Sequence, residues 1–128
     1  MTQRPALRLA AAFALAPVIL AASPFDGTYK QTANGECGLV GVDGGALRIE
    51  GDIFYGVEVE CRMTNPVEIE GMTAKLYDMA CIGDGSTWEE RAILMADAEE
   101  PGLYMIWDGY AFRYERCDIP AATEVDAD

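Results

Sequence analysis

Hydrolytic chemistry needs a nucleophile and a base, and this chain offers little of either. It contains no histidine, which removes the usual base of hydrolytic triads and the imidazole ligands of metal centres. Ser86 is the one serine well clear of the N-terminal segment, and Lys30 and Lys75 are the only lysines. A Ser–Lys dyad is the nucleophilic arrangement to weigh. Against it, Ser86 lies in the run G-D-G-S-T, where a small polar residue is ordinary turn chemistry. Carboxylates are plentiful, and a suitably spaced pair can do acid–base work. The i,i+2 pairs Glu58/Glu60 and Glu68/Glu70 would each share one outward strand face, which reads as a solvated face.

Calcium is the most reasonable ion. Asp84, Ser86, Glu89 and Glu90 form a candidate acidic loop around a Gly-rich turn, but their spacing is not that of an EF-hand. They read as an acidic hairpin loop. No catalytic residue, metal ligand or cofactor is expected, and the chain is read as a non-enzyme. Trp107, Tyr110, Phe112 and Tyr114 make a candidate aromatic face that could line a ligand cavity or fill a core. In a small barrel, side chains are expected to fill the interior.

Cys37, Cys61, Cys81 and Cys117 are spaced by 24, 20 and 36 residues. That spacing has no close-set cysteine pair of the kind that clamps zinc. Two disulfides in an oxidising compartment fit better. The N-terminus agrees. Arg4 and Arg8 precede an uncharged run of 14 residues, 9–22, about 21 Å long as a helix, against a hydrocarbon core of about 30 Å. With the small residues Ala21, Ala22 and Ser23 behind it, this reads as a cleavable signal peptide, 1–23, and no stable membrane insertion is expected after cleavage. The mature part keeps seven basic against 22 acidic residues, a net charge of −15. Such a field repels phosphate backbones and anionic membranes, so nucleic acid is excluded as a partner, and it steers cationic partners inward.

The elements that would position these residues are strands. The expected organisation is one β domain over 24–120, followed by a disordered acidic tail over 121–128. Along residues 53–63 the odd positions are Ile53, Tyr55, Val57, Val59, Cys61 and Met63, while Glu58, Glu60 and Arg62 occupy even ones. That alternation is a half-buried antiparallel strand with Cys61 inward. The preceding strand, residues 46–50, buries Leu47 and Ile49. Side-chain parity then favours an odd loop or a bulge at Gly51-Asp52, setting Ile49 against Tyr55 and Leu47 against Val57. Asp108-Gly109 signals a type I′ hairpin that pairs Trp107 with Tyr110, Met105 with Phe112 and Leu103 with Tyr114. Further strands are expected near 27–32, 73–82 and 88–96, with turns at Asn65-Pro66, 83–85 and 100–102. The fold class is all-β, a small antiparallel meander or barrel of about six to eight strands stapled by two disulfides. Cys61 faces inward and Cys81 lies in register with Tyr77 and Met79 on one side of its strand, whereas Cys37 lies in a Gly-rich loop and Cys117 opposite the aromatic face. Of the three pairings, Cys61–Cys81 and Cys37–Cys117 are favoured.

The order F-D-G-T-Y at 25–29, C-x-G-D-G-x-x-W-x-x-R at 81–91 and the closing Arg116-Cys117 resembles small cysteine-containing exported β proteins of Gram-negative bacteria. That group has no assigned function. The resemblance implies the fold and the compartment and supplies no active site. A vaguer likeness, of architecture alone, is to periplasmic lysozyme-inhibitor barrels. The expected function is a periplasmic or secreted non-catalytic binding module that recognises or inhibits a cationic protein. The alternatives are a small-ligand carrier using the aromatic interior and a structural envelope component.

Overall fold

The structure, a computed structural model, describes residues 23–117 and a few isolated positions ahead of them. Apart from those positions and Ser23, the expected signal segment lies outside the described residues, as does the tail 121–128. Eight antiparallel strands follow one another in chain order: β1 (Gly27–Lys30), β2 (Ala46–Glu50), β3 (Ile53–Gly56), β4 (Val59–Glu68), β5 (Ala74–Gly83), β6 (Ser86–Ala96), β7 (Gly102–Trp107) and β8 (Tyr110–Glu115). Each pairs with its sequence neighbours, so the chain is an uninterrupted meander that curls into a nearly closed barrel.

Closure is slight. The first and last strands meet through one bridge, Tyr29 to Arg116, next to which the Cys117 N–H donates to the Thr28 carbonyl at 2.8 Å. Arg116 Nη2 donates to the Asp26 carbonyl at 3.1 Å, and Lys30 Nζ stands 3.8 Å from Glu115. The Cys37–Cys117 disulfide ties the loop after β1 to the end of β8, while Cys61 and Cys81 face each other across β4 and β5 and form the second disulfide. Both expected pairings are present, and they suit a non-reducing environment.

The period of two accounts for the core. Ile49, Met79, Leu94, Leu103 and Met105 are almost wholly buried inside the barrel, whereas Arg48, Glu60, Arg62, Arg91 and Arg113 project outward. The interior is apolar, whereas the lumen of an outer-membrane barrel is polar. No helix among the described residues is long and apolar enough to cross a membrane. Phe25, fully buried just ahead of β1, meets the Tyr77 ring edge-on at 6.4 Å, and its carbonyl accepts the Tyr29 hydroxyl at 2.7 Å. It plugs the end of the barrel where β1 begins.

Four local expectations are overturned. Gly51 and Asp52 form a tight two-residue turn, both at positive φ (60° and 63°), so Ile49 pairs with Phe54 rather than Tyr55. Phe54 is the buried side chain; Ile53 and Tyr55 are only half-buried and Val57 is exposed. The expected strand 53–63 is in fact two, because a second two-residue turn at Val57-Glu58 reverses the chain and resets its parity. That turn is held from outside: the Glu58 N–H donates to the Gly41 carbonyl at 2.9 Å. Beside it, a Cβ on Gly56 would fall 2.7 Å from Val59 and 2.9 Å from Phe54, so only glycine lets the reversal pack. Asn65-Pro66 is not a turn but a bulge within β4, with Asn65 at φ 50° and the register to β5 shifting between Thr64 and Val67. At Asp108-Gly109 the two-residue loop and its three cross-strand pairs are as expected, but only Gly109 has positive φ (102°), so the turn is not type I′.

The β6–β7 loop is pinned by Asp97. Its carboxylate accepts the N–H groups of Glu99 and Glu100 at 2.8 and 3.2 Å and the Arg113 Nε at 2.8 Å. Those donors, the Glu99 amide first, lower its pKa from 3.8 to about 2. The ionised carboxylate therefore favours the fold above about pH 4, and this advantage is lost as the pH falls through about 2. In acid titrations followed by melting temperature, Asp97→Asn is expected to flatten the decline between pH 4 and pH 2. A decline as steep as that of the unsubstituted chain would assign it to other carboxylates.

Candidate functional site

A meander gathers alternate turns at opposite ends of the barrel. The turns Val57-Glu58, Asp84-Gly85 and Asp108-Gly109 ring one end, each contributing one carboxylate and no basic residue. Between them opens a mouth of about 280 Å³, floored by the Cys61–Cys81 disulfide. Leu47, Phe54 and Gly56 form one side, Trp107, Tyr110, Phe112 and Tyr114 the other, with Trp88 and Glu90 from β6 beside them.

The aromatic residues make a continuous chain. Ring centroids are 6.1 Å apart for Phe54 and Trp107, 6.5 Å for Trp107 and Tyr110, 5.5 Å for Tyr110 and Phe112, and 5.8 Å for Phe112 and Tyr114. Register explains the alignment, because the β7–β8 pairs put Leu103, Met105 and Trp107 on the same face as Tyr114, Phe112 and Tyr110. Deep in the barrel that face is core. At the mouth it is not: Tyr110 is 52% exposed, Phe112 46% and Trp88 39%. The reading of these rings as interior filling is corrected for Tyr110 and Phe112. The cause is β1, which ends at Lys30 and so pairs only at the Arg116 end, leaving the Tyr110–Tyr114 stretch of β8 without a strand partner on that side. Tyr114, deeper in, has its phenol pushed up to about 12, first by burial and then by Tyr110, so it stays neutral at physiological pH.

The candidate acidic loop does not act as one group. Asp84 and Gly85 form the turn, both at positive φ (49° and 72°), and Gly83 pairs with Ser86 across it. Ser86 and Glu90 then share the barrel-facing side of β6 with Trp88, whereas Glu89 points outward. Among the described residues no three acids or cysteines come together as a metal site. Glu90 instead accepts the Trp88 indole N–H inside the mouth. The paired-carboxylate reading is also corrected: Glu58 lies in a turn and Glu70 beyond the end of β4, so neither pair shares a strand face. Trp88 was missed from sequence, although the alternation Trp88, Glu90, Ala92, Leu94 along one strand face could have found it.

A larger hollow, about 510 Å³, lies at the opposite end around Pro24 and the loop over residues 69–73. No aromatic face converges on it. No protein-family model, curated protein or solved structure matches this chain.

Proposed function

We propose that the chain is a periplasmic or secreted, non-catalytic binding module for a cationic protein, and that the aromatic mouth is its contact site. The observation that carries this reading is the pair of half-exposed rings, Tyr110 and Phe112, held beside a carboxylate in an open mouth. Aromatic faces next to an anion favour Lys or Arg side chains, by about 0.5–2 kcal/mol per ring contact. The net charge of −13 and the carboxylates on the rim turns steer such a partner toward the mouth. The mouth, about 280 Å³, is at the small end of ligand-pocket sizes and has room for inserted side chains.

Immobilised oxidised protein is expected to retain lysozyme, a basic protein, at low ionic strength and release it as salt rises. Phe112→Ala and Glu90→Gln are each expected to weaken binding by about fivefold, or about 1 kcal/mol, with Glu90→Gln melting close to the unsubstituted chain and Phe112→Ala several degrees below it. Should neither lysozyme nor any other basic protein be retained at low salt, the reading is wrong. Full retention by both variants would move the contact away from the mouth.

A further inference from the structure

We infer that the cationic partner is held by strand addition: an extended basic segment pairs its backbone with the outer edge of β8 and sends alternate side chains into the aromatic mouth. This inference rests on the binding-module reading above and specifies how that module engages its partner.

The backbone of β8 is the first support. Trp107 and Tyr110 close a two-residue loop, and from such a pair the groups of an antiparallel strand alternate between its two sides. The N–H and C=O groups of Ala111 and Arg113 therefore point away from β7. Observed bonds further along match this alternation: the Arg116 N–H goes to Pro101, on the β7 side, and the Cys117 N–H to Thr28, on the β1 side. Among the described residues, β1 pairs its backbone with this strand only around the Tyr29–Arg116 bridge. Beyond Lys30 the chain departs into the loop that carries Cys37, and among the described residues no loop backbone group bonds to Ala111 or Arg113. The edge has no proline and no bulge, two common means of protecting an exposed strand.

The second support is where that edge lies. The unpaired stretch of β8 borders the mouth, with Leu47 and Phe54 lining it together with Tyr110 and Phe112. A segment laid along β8 continues the line that β1 abandons, and every second side chain then faces the rings and Glu90. Backbone pairing with side-chain pockets at alternate positions is a general mode of peptide capture. Charge selects the occupant. A second copy of this chain would bring another −13 to the interface, while a basic segment meets Glu58, Asp84 and Asp108 on the rim.

The test uses the oxidised full chain and two synthetic probes. One is an eight-residue peptide alternating arginine and valine; the other is the same peptide N-methylated at every backbone amide, which keeps charge and side chains but cannot donate backbone hydrogen bonds. The plain peptide is expected to bind at least tenfold more tightly. Ala111→Pro removes an N–H that faces the open edge and leaves the β7 ladder intact. It is expected to bring the plain peptide's affinity down to that of the methylated one with little change in melting temperature. Equal affinity of the two peptides for the unsubstituted chain overturns strand addition, and needs no variant to show it; lysozyme retention would still support the binding reading. If neither peptide nor lysozyme binds at low salt, the binding reading itself fails. A solution dimer that Ala111→Pro dissociates would assign the edge to a second copy and also overturn the inference.

Discussion

Replacing both Cys37 and Cys117 by serine is expected to destabilise the barrel by about 4.5 kcal/mol, the chain-entropy value for a cross-link spanning 80 residues. The Cys61–Cys81 link, spanning 20 residues, is expected to contribute about 3 kcal/mol. The order of the two matters more than either figure. Cys61 and Cys81 already face each other within a ladder of eight paired positions, whereas β1 and β8 share one bridge. The longer link therefore holds the weakest seam. Domains of this size have about 5–15 kcal/mol in total, so losing the seam link removes a large share of the whole. Urea unfolding of the two double variants measures this, with the slope monitored because an unlinked denatured chain exposes more surface. Equal midpoints, or a lower midpoint for the Cys61/Cys81 variant, would mean that the seam is held by its other contacts.

Phe25→Ala is expected to cost about 3–5 kcal/mol, the usual range for emptying a fully buried phenylalanine site. Phe112→Ala, at the other end, removes a ring that is 46% exposed and is expected to cost only about 1 kcal/mol. Paired unfolding curves thus separate a ring that closes the barrel from one that faces a partner. If Phe112→Ala proved as damaging as Phe25→Ala, the mouth would be core and its role in binding would be lost.

Much of the frame was readable from residue order. The β7–β8 hairpin combined a turn signal with matched aromatic positions, and strand parity at Cys61 and Cys81 selected their pairing. What escaped was set by tertiary contacts. Nothing in Val57-Glu58 resembles a turn; the reversal depends on the Gly41 carbonyl and the close packing at Gly56. The same reversal shifted Phe54 into the core and turned Tyr55 away from it. Asn65-Pro66 carries a turn signature, yet β4 absorbs it as a bulge because pairing to β5 continues on both sides. The aromatic face was visible as a set, but its exposure was not. That depends on β1 ending at Lys30, two residues short of the expected strand 27–32. Glu90 was grouped with its sequence neighbours in an acidic loop, although strand parity gives it to Trp88 and the mouth.

The most direct test is amide chemical-shift mapping of the oxidised chain titrated with lysozyme at low salt. Saturable shifts are expected along Tyr110, Ala111, Phe112 and Arg113 and at the indole N–H groups of Trp88 and Trp107. Shifts concentrated around Pro24 and residues 69–73, or spread evenly over the acidic surface, would contradict a binding site at the mouth.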